Sequence, residues 1–205
     1  MRGPRPVVLD LCGGTGAWSA PYREAGYDVH VITLPGIDVR LHEKPSLPIY
    51  GILAAPPCTY FCRARMCRGE PTPEQFLEGL SVVDACLRII AVCKPEWWAL
   101  ENPQGYLRRW LGEPAFKFDP WEFGDPWTKR TWLWGNFRLP LHDRAEVPST
   151  QPLVNSRTGH PLGKKGLARN FTERATTPPG FARAFFNANN CGEFSERVPG
   201  RARTP

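Results

Sequence analysis

A thiol and a carboxyl group each follow a short apolar stretch of this 205-residue sequence. Cys58 comes after residues 49–55 and two prolines, and Glu101 comes after residues 96–100. Both stretches have the length and composition of buried β-strands, and proline ends the first because it cannot extend a ladder. The carboxyl ends of parallel strands meet at one edge of an open α/β sheet, so both groups could reach one small substrate. Taken alone, Cys58 is equally consistent with a small buried hydrophobic residue.

A glycine-rich turn, residues 12–16, follows the first predicted strand, residues 6–11. A helix is expected from about Ala17 to Gly26, which gives the strand–turn–helix order of a cofactor-binding half-fold. Glycine allows a ligand to approach the backbone closely. The spacing differs from the GxGxxG of dinucleotide-binding folds, and no basic residue follows that could bind a pyrophosphate. A cofactor without phosphate groups is therefore the better fit to this turn.

The second predicted strand, residues 27–34, lacks an acidic residue at its tip. Cofactor-binding folds of this kind usually carry one there, where it holds a ribose diol. The ribose contact is therefore absent or made by Thr33. Asp38 supplies a carboxylate a few residues later, and it is equally consistent with a ligand contact and with a turn or cap residue.

Basic residues outnumber acidic ones by 26 to 20, which gives a formal net charge of +6. This charge favours a polyanionic partner such as nucleic acid. Arg63, Arg65 and Arg68 follow Cys58 closely. They form either a phosphate-binding loop that closes over the site or an ordinary solvated loop.

Two further groups of cations lie later in the chain. Lys129 and Arg130 precede a predicted strand at 131–135 and could pair with Glu101 or with phosphate. The polar, proline- and glycine-rich segment 139–177 is predicted to be a small basic loop or subdomain, and it contains Lys164 and Lys165.

Strand-like and helix-like patterns alternate along the chain, which predicts an α/β fold with a doubly wound, mostly parallel sheet. We expect one domain over residues 1–205, a closing helix that starts at prolines 178–179, and a flexible tail at 198–205. A long helix is predicted over residues 73–92. One apolar face of this helix is expected in the core, namely Leu77, Leu80, Val83, Leu87 and Ile90.

The seven cysteines are an odd number, and no signal peptide or long apolar segment accompanies them. This combination predicts a reduced, cytoplasmic protein with no membrane partner. Cys58, Cys62 and Cys67 lie close together, but no CxxC pair or nearby histidine completes a zinc site, so we expect no metal. We also expect a monomer.

Four motifs, in order, resemble those of small DNA cytosine-5 methyltransferases from phage and prophage genomes. Residues 10–16 resemble the family's cofactor loop, and Pro57-Cys58 resembles its nucleophile motif. Glu101-Asn102-Pro103 is similar to its Glu-Asn-Val motif, and residues 123–130 are similar to its arginine-containing segment. The resemblance covers roughly residues 7–135.

The resemblance implies a Rossmann-like fold of the class I methyltransferase type. It implies transfer of a methyl group from S-adenosylmethionine to C5 of cytosine in DNA, with Cys58 adding to C6 and Glu101 protonating N3. Lys129 and Arg130 would complete the catalytic group. The implied cofactor contacts are Asp10, Leu11, Cys12, Gly13, Gly14, Thr15, Gly16, Trp18, Thr33, Asp38 and Pro57. The expected nucleic-acid contacts are Arg63, Arg65, Arg68, Lys129, Arg130, Lys164 and Lys165.

The chain also departs from the family pattern. Thr59 replaces the usual glutamine, and Lys129 and Thr131 lie in register with two family arginines. The segment 139–177 is much shorter than the usual recognition region, so we expect short or relaxed sequence specificity.

Three other functions remain open on the sequence. An amino-methyltransferase would carry Asp or Asn at position 55 and an aromatic residue at position 58, where this chain has Ala55 and Cys58. A catalytically inactive or decoy relative would bind nucleic acid without modifying it. The same chemistry could also act on RNA or on a free nucleotide.

Overall fold

The computed structural model describes residues 4–62, 69–125, 127–141, 154–155 and 176–192. Most of the segment 139–177 and the whole tail 198–205 lie outside these ranges. Five of the predicted nucleic-acid contacts also lie outside the described residues, namely Arg63, Arg65, Arg68, Lys164 and Lys165.

Six strands form one mixed sheet in the order β2-β1-β3-β4-β7-β5. Strands β2, β1, β3 and β4 are parallel, β7 is antiparallel to β4, and β5 is antiparallel to β7. Two short strands, β6 and β8, pair with each other outside this sheet. The strand bounds are β1 Val7–Leu11, β2 Asp28–Ile32, β3 Ile49–Ala54, β4 Trp97–Pro103, β5 Phe116–Phe118, β6 Trp127–Thr128, β7 Thr131–Asn136 and β8 Val154–Asn155. The predicted α/β class and mostly parallel sheet are therefore confirmed.

Helices cover both faces of the sheet. Residues of α2 pack on one face, and residues of α1 and α4 pack on the other. The helix bounds are α1 Ala20–Glu24, α2 Pro73–Cys93, α3 Arg108–Leu111 and α4 Pro179–Asn189, with 3-10 turns at Val39–Leu41 and Pro120–Phe123. No helix in the described part of the chain is long and apolar enough to span a membrane.

Strand β1 shows how the sequence pattern builds the two layers. Successive side chains of a strand point to opposite faces of the sheet. Accordingly, Val7, Leu9 and Leu11 pack in the α2 layer, whereas Val8 packs with α1 and α4. The sheet is therefore covered on both faces, as a doubly wound fold requires.

Helix α2 begins and ends at clear sequence signals. The backbone N–H of Gln75 donates to Thr72 Oγ1 at 3.3 Å, and the backbone N–H of Thr72 donates to Gln75 Oε1 at 3.2 Å. This reciprocal pair is a capping box, which satisfies two backbone donors that the first turn would otherwise leave free. The helix ends at Lys94, whose backbone is left-handed with φ 50°.

Two local expectations are wrong. Helix α1 begins at Ala20 rather than Ala17, because residues 14–19 form tight turns. Leu77 is 65% exposed rather than in the core, because the side chains opposite this turn of α2, Tyr106 and Trp110, leave an open groove there. The remaining residues of the predicted apolar face are buried or partly buried.

Candidate active site

The two reactive motifs lie at the ends of neighbouring parallel strands. Ala54 of β3 pairs with Leu100 of β4, so the chain segments that follow leave the sheet side by side. After the prolines, the carbonyl of Cys58 accepts hydrogen bonds from the backbone N–H groups of Phe61 and Cys62, each at 3.0 Å. Cys58 therefore opens a single helical turn at the carboxyl edge of the sheet.

Glu101 lies within β4 rather than beyond its end. The antiparallel neighbour β7 continues the ladder past the last residue of β3, pairing Glu101 with Leu133 and Pro103 with Thr131. Hydrogen bonds from β7 keep residues 101–103 extended and fix the backbone position of Glu101.

Lys129 is brought to Glu101 by the same strand. It lies two residues before β7, and its Nζ is 3.7 Å from Glu101 Oε1. Both side chains are mostly buried, with 17% and 14% exposed. Arg130 takes a different direction: its Nε donates to Asp119 Oδ2 at 2.8 Å. Of the two predicted cations, the structure thus places Lys129 beside Glu101 and Arg130 in a separate ion pair.

The thiol of Cys58 has a raised pKa. The largest cause is a hydrogen bond with the thiol of Cys62, followed by burial and by the negative charges of Cys62 and Glu101. Lys129 acts in the opposite direction, because its positive charge favours the thiolate. The surroundings of Cys58 therefore favour the protonated thiol.

Asn102 links the two strand ends, a role that the sequence analysis did not assign. It is fully buried, and its Nδ2 donates to the carbonyl of Pro56 at 2.9 Å. Its Oδ1 is buried without a hydrogen-bond partner among the described residues. Because Pro56 is two residues before Cys58, this bond couples the position of the Cys58 turn to that of Glu101.

The glycine turn after β1 has the open backbone that a cofactor contact needs. Gly14 and Gly16 have left-handed φ values of 55° and 71°. The backbone N–H of Gly14 donates to Thr33 Oγ1 at 3.3 Å. A Cβ placed on Gly14 would meet no atom within 4 Å, so the surface above it is free. The turn is thus joined to the tip of β2 and exposed on its outer side.

Asp10 supports this turn from below. Its carboxyl is fully buried and accepts a 2.5 Å hydrogen bond from Ser19 Oγ, while Oδ1 has no partner among the described residues. A Cβ on Gly13 would lie 2.3 Å from Asp10 Cγ, so only glycine fits there. Burial raises the pKa of Asp10 to about 6, against the lowering effect of Ser19. Ser19 is a partner that sequence spacing did not reveal.

Asp38, a predicted cofactor contact, has a structural partner of its own. Asp38 caps the 3-10 turn Val39–Leu41, accepting from Arg40 N at 2.9 Å and pairing with the Arg40 guanidinium at 2.6 Å. The hydrogen bonds from Arg40 lower the pKa of Asp38. Of its two possible roles, the cap is present, and the ligand contact stays a prediction.

Trp18 is 1% exposed and packs against Phe181 and Phe185, with ring centroids 5.9 and 5.5 Å away. The structure therefore places it in the core beneath the turn, and its cofactor contact stays a prediction. The other predicted contacts lie on or beside the turn or the strand ends, with Leu11 buried, Cys12 partly buried, and Thr15 and Pro57 exposed. In the described part of the chain, no group of three His, Cys, Asp or Glu side chains is placed to hold a metal ion.

No protein-family model matches the sequence, and no curated protein is significantly similar to it. Among solved structures, the chain is similar to a candidate DNA modification methyltransferase encoded within an E. coli prophage. The two are 16% identical with a TM-score of 0.50, and the match covers 74% of this chain and 53% of the other. The chain thus spans about half the length of that protein. At this identity, the likeness shows a shared fold.

Proposed function

We propose that this protein transfers a methyl group from S-adenosylmethionine to C5 of cytosine in DNA, through a covalent adduct of Cys58 at C6. One observation carries the proposal. The Cys58 thiol and the Glu101 carboxyl group lie at the carboxyl ends of neighbouring parallel strands, and the positive charge of Lys129 lies close to Glu101 and favours the Cys58 thiolate. The fold shared with a candidate DNA modification methyltransferase supports it.

The glycine turn fits a phosphate-free cofactor. Gly14 leaves open space where a side chain would stand, and no lysine or arginine occurs between residues 12 and 18. The buried carboxyl of Asp10 adds a negative group beneath the turn, which suits a cationic ligand such as S-adenosylmethionine. Residues 12–16, together with Thr33, would hold it. When bound, S-adenosylmethionine supplies an electrophilic methyl group.

Residues at the ends of β3 and β4 make the cytosine reactive in this proposal. Cytosine C5 is a poor nucleophile until a group adds to C6, and the Cys58 sulfur forms that bond after its proton passes to water. Glu101 holds a proton at N3, which stabilises the electron-rich ring that results. Lys129 lies 3.7 Å from Glu101, and its positive charge favours the Cys58 thiolate.

The reaction closes when the ring regains its aromatic character. After the methyl group joins C5, water takes the hydrogen on C5 as a proton, its electron pair re-forms the C5–C6 double bond, and the proton on N3 returns to Glu101. The bond between sulfur and C6 breaks, and Cys58 leaves as a thiolate. In a duplex, the cytosine must leave the base stack to reach this thiol.

DNA that contains 5-fluorocytosine tests the proposal directly. Fluorine on C5 cannot leave as a cation, so the reaction stops with sulfur still bound to C6. With S-adenosylmethionine present, we expect wild-type protein to form an adduct that survives denaturing electrophoresis. Cys58→Ser and Cys58→Ala should form none, whereas Cys93→Ser, at the far end of α2, should behave as wild type.

The other outcomes distinguish the competing functions. DNA binding without any adduct would identify an inactive relative, and an adduct on RNA alone would move the same chemistry to RNA. Methylation by Cys58→Ala, followed with labelled cofactor, would overturn the role of Cys58 as nucleophile.

A further inference from the structure

A groove of about 410 Å³ lies between the first turns of α2 and the segment that follows β4. This volume falls within the range of roughly 300–1,000 Å³ that is usual for ligand clefts. Leu80 and Tyr106 line it and are mostly buried, whereas Leu77 and Trp110 line it and are 65% and 54% exposed. The remaining lining residues are Glu70, Pro71, Pro73, Phe76 and Arg109. The groove therefore presents large apolar and aromatic surface to solvent.

The groove is next to the turn that carries Cys58. The backbone N–H of Tyr106 donates to the carbonyl of Phe61 at 2.7 Å, and Gly105 forms a β-bridge with Cys62. The ring of Phe61 packs edge-on against Phe76 with centroids 5.5 Å apart. Phe61 and Cys62 belong to the turn that Cys58 opens, so the groove lies beside that turn.

The groove combines aromatic rings with a cation. The guanidinium of Arg109 lies 4.7 Å from the centroid of the Tyr106 ring, and Trp110 is the next residue along the chain. Aromatic side chains and arginine planes are the groups on which unpaired nucleobases stack. The position of these groups beside the Cys58 turn favours a nucleic acid strand over an unrelated ligand.

The arginine is available to a phosphate. Arg109 pairs with Glu70 at 3.7 Å, and both side chains are more than two-thirds exposed. Exposed ion pairs of this kind contribute little net stability, so a phosphate can compete for Arg109. Glu70 then acts as a counter-charge that a bound strand displaces.

We propose that this groove binds an unpaired nucleobase next to the target cytosine, stacked on Trp110, with an adjacent phosphate on Arg109. The proposal rests on the proposed function, because it assigns the groove to the same nucleic acid substrate. It narrows the substrate class to single-stranded DNA, or to duplex DNA that opens beside the target. A fully paired neighbouring base cannot stack on a protein side chain in this way.

The test measures affinity by fluorescence anisotropy with labelled single-stranded oligonucleotides that carry one cytosine. One oligonucleotide is intact, and the others have an abasic residue at one position beside the cytosine. Wild-type protein should bind the intact strand and lose roughly tenfold in affinity at one abasic position. Trp110→Ala should bind the intact strand roughly tenfold more weakly and show no further loss at that position, whereas Trp110→Phe should retain most of the affinity.

Charge variants give a second, directional readout. Arg109→Ala should weaken binding, and Glu70→Gln should strengthen it, because it removes the competing carboxylate. Arg183 offers a matched control, since it also pairs with a glutamate, Glu24, and also lies over an aromatic ring, Phe186, but in the opposite layer. Arg183→Ala should bind as wild type does. Thermal melting of each variant confirms that it folds.

Several results would overturn the proposal. Unchanged affinity of a folded Trp110→Ala would do so, as would an equal loss on intact and abasic strands, which would indicate a structural role. A shift from dimer to monomer in Trp110→Ala would instead assign the groove to a second copy of the chain. Failure of the proposed function is distinct: wild-type protein would then form no 5-fluorocytosine adduct. If wild type forms the adduct and Trp110→Ala matches it in affinity, only the groove assignment fails.

Discussion

At the scale of single residues, the chemistry of Cys58 depends on charges contributed by other strands. Glu101 on β4 and the Cys62 thiol keep its proton in place, and Lys129 opposes them from the start of β7. The protonated thiol is therefore the favoured form of Cys58. Positive charge added close to the sulfur would shift this balance toward the thiolate.

Thiol alkylation measures this balance without any cofactor. Only the thiolate reacts with iodoacetamide. Because the pKa of Cys58 is raised, its alkylation rate should still increase with pH at pH 9. Lys129→Met removes a positive charge and should slow the reaction roughly threefold to tenfold at pH 8, which is about 0.7–1.4 kcal/mol. Glu101→Gln removes a negative charge and should speed it by a similar factor, even though methyl transfer is lost. Peptide mass spectrometry separates Cys58 from the other cysteines.

A second lysine–glutamate pair provides the control. Lys117 Nζ lies 3.0 Å from Glu113 Oε2 on the surface, and Lys117→Met should leave the alkylation rate unchanged. Alkylation of Cys58 at the wild-type rate in both Lys129→Met and Glu101→Gln would show that these charges do not govern the thiol.

At the scale of elements, the site depends on how the ends of β3 and β4 are held together. The strands pair only as far as Ala54 and Leu100, and beyond that point Asn102 carries the connection by donating to Pro56. A buried amide that serves two chain segments is costly to replace, because its loss leaves a buried carbonyl without a donor.

Asn102→Asp tests this connection, since aspartate has the same shape but no N–H to donate. The variant should lose roughly 1–3 kcal/mol of unfolding free energy in urea at an unchanged m value. It should also form the 5-fluorocytosine adduct more slowly, because Cys58 and Glu101 are no longer held in register. Asn190→Asp is the matched control, since Asn190 also donates to backbone carbonyls, at the end of α4. Adduct formation at the wild-type rate in Asn102→Asp would leave this residue a purely structural role.

At the scale of the whole molecule, charge and topology act together. The net charge of +6 attracts a polyanion from any direction, whereas the sheet topology gathers Cys58, Glu101 and Lys129 at one edge. Under the proposed function, the segment 139–177 is the part of the chain predicted to read bases, and it is short. We therefore expect phosphate contacts to provide most of the affinity and to carry no sequence information.

A salt series checks this expectation on duplex DNA of mixed sequence. Each neutralised phosphate releases counterions, so the log–log slope of affinity against salt should be about −0.9 per contact, or roughly −3 to −6 in total. Replacing Lys164 and Lys165 by alanine should reduce its magnitude by up to about 2, whereas Lys44→Ala should not change it. Bisulfite mapping of a modified plasmid should show a site of one or two bases beside the cytosine. A flat salt response, or modification confined to a long site, would contradict this account of the basic residues.

Much of the framework could be predicted from the sequence, because its signals are local. Apolar runs of strand length, prolines that stop them and glycines that permit left-handed turns located β1 to β4, α2 and α4 within a few residues. The predicted parallel order also puts Cys58 and Glu101 at one edge of the sheet. Their catalytic roles stay predictions.

The tertiary structure alone decided which side chains meet. Ser19 bonds to Asp10 across 9 residues and Asn102 to Pro56 across 46, and no local periodicity encodes such pairs. The antiparallel return of β7 sends Lys129 to Glu101 but Arg130 to Asp119, although the two cations are adjacent in sequence. Neighbouring residues of an extended chain point to opposite sides, so the direction of one strand determines which cation enters the site.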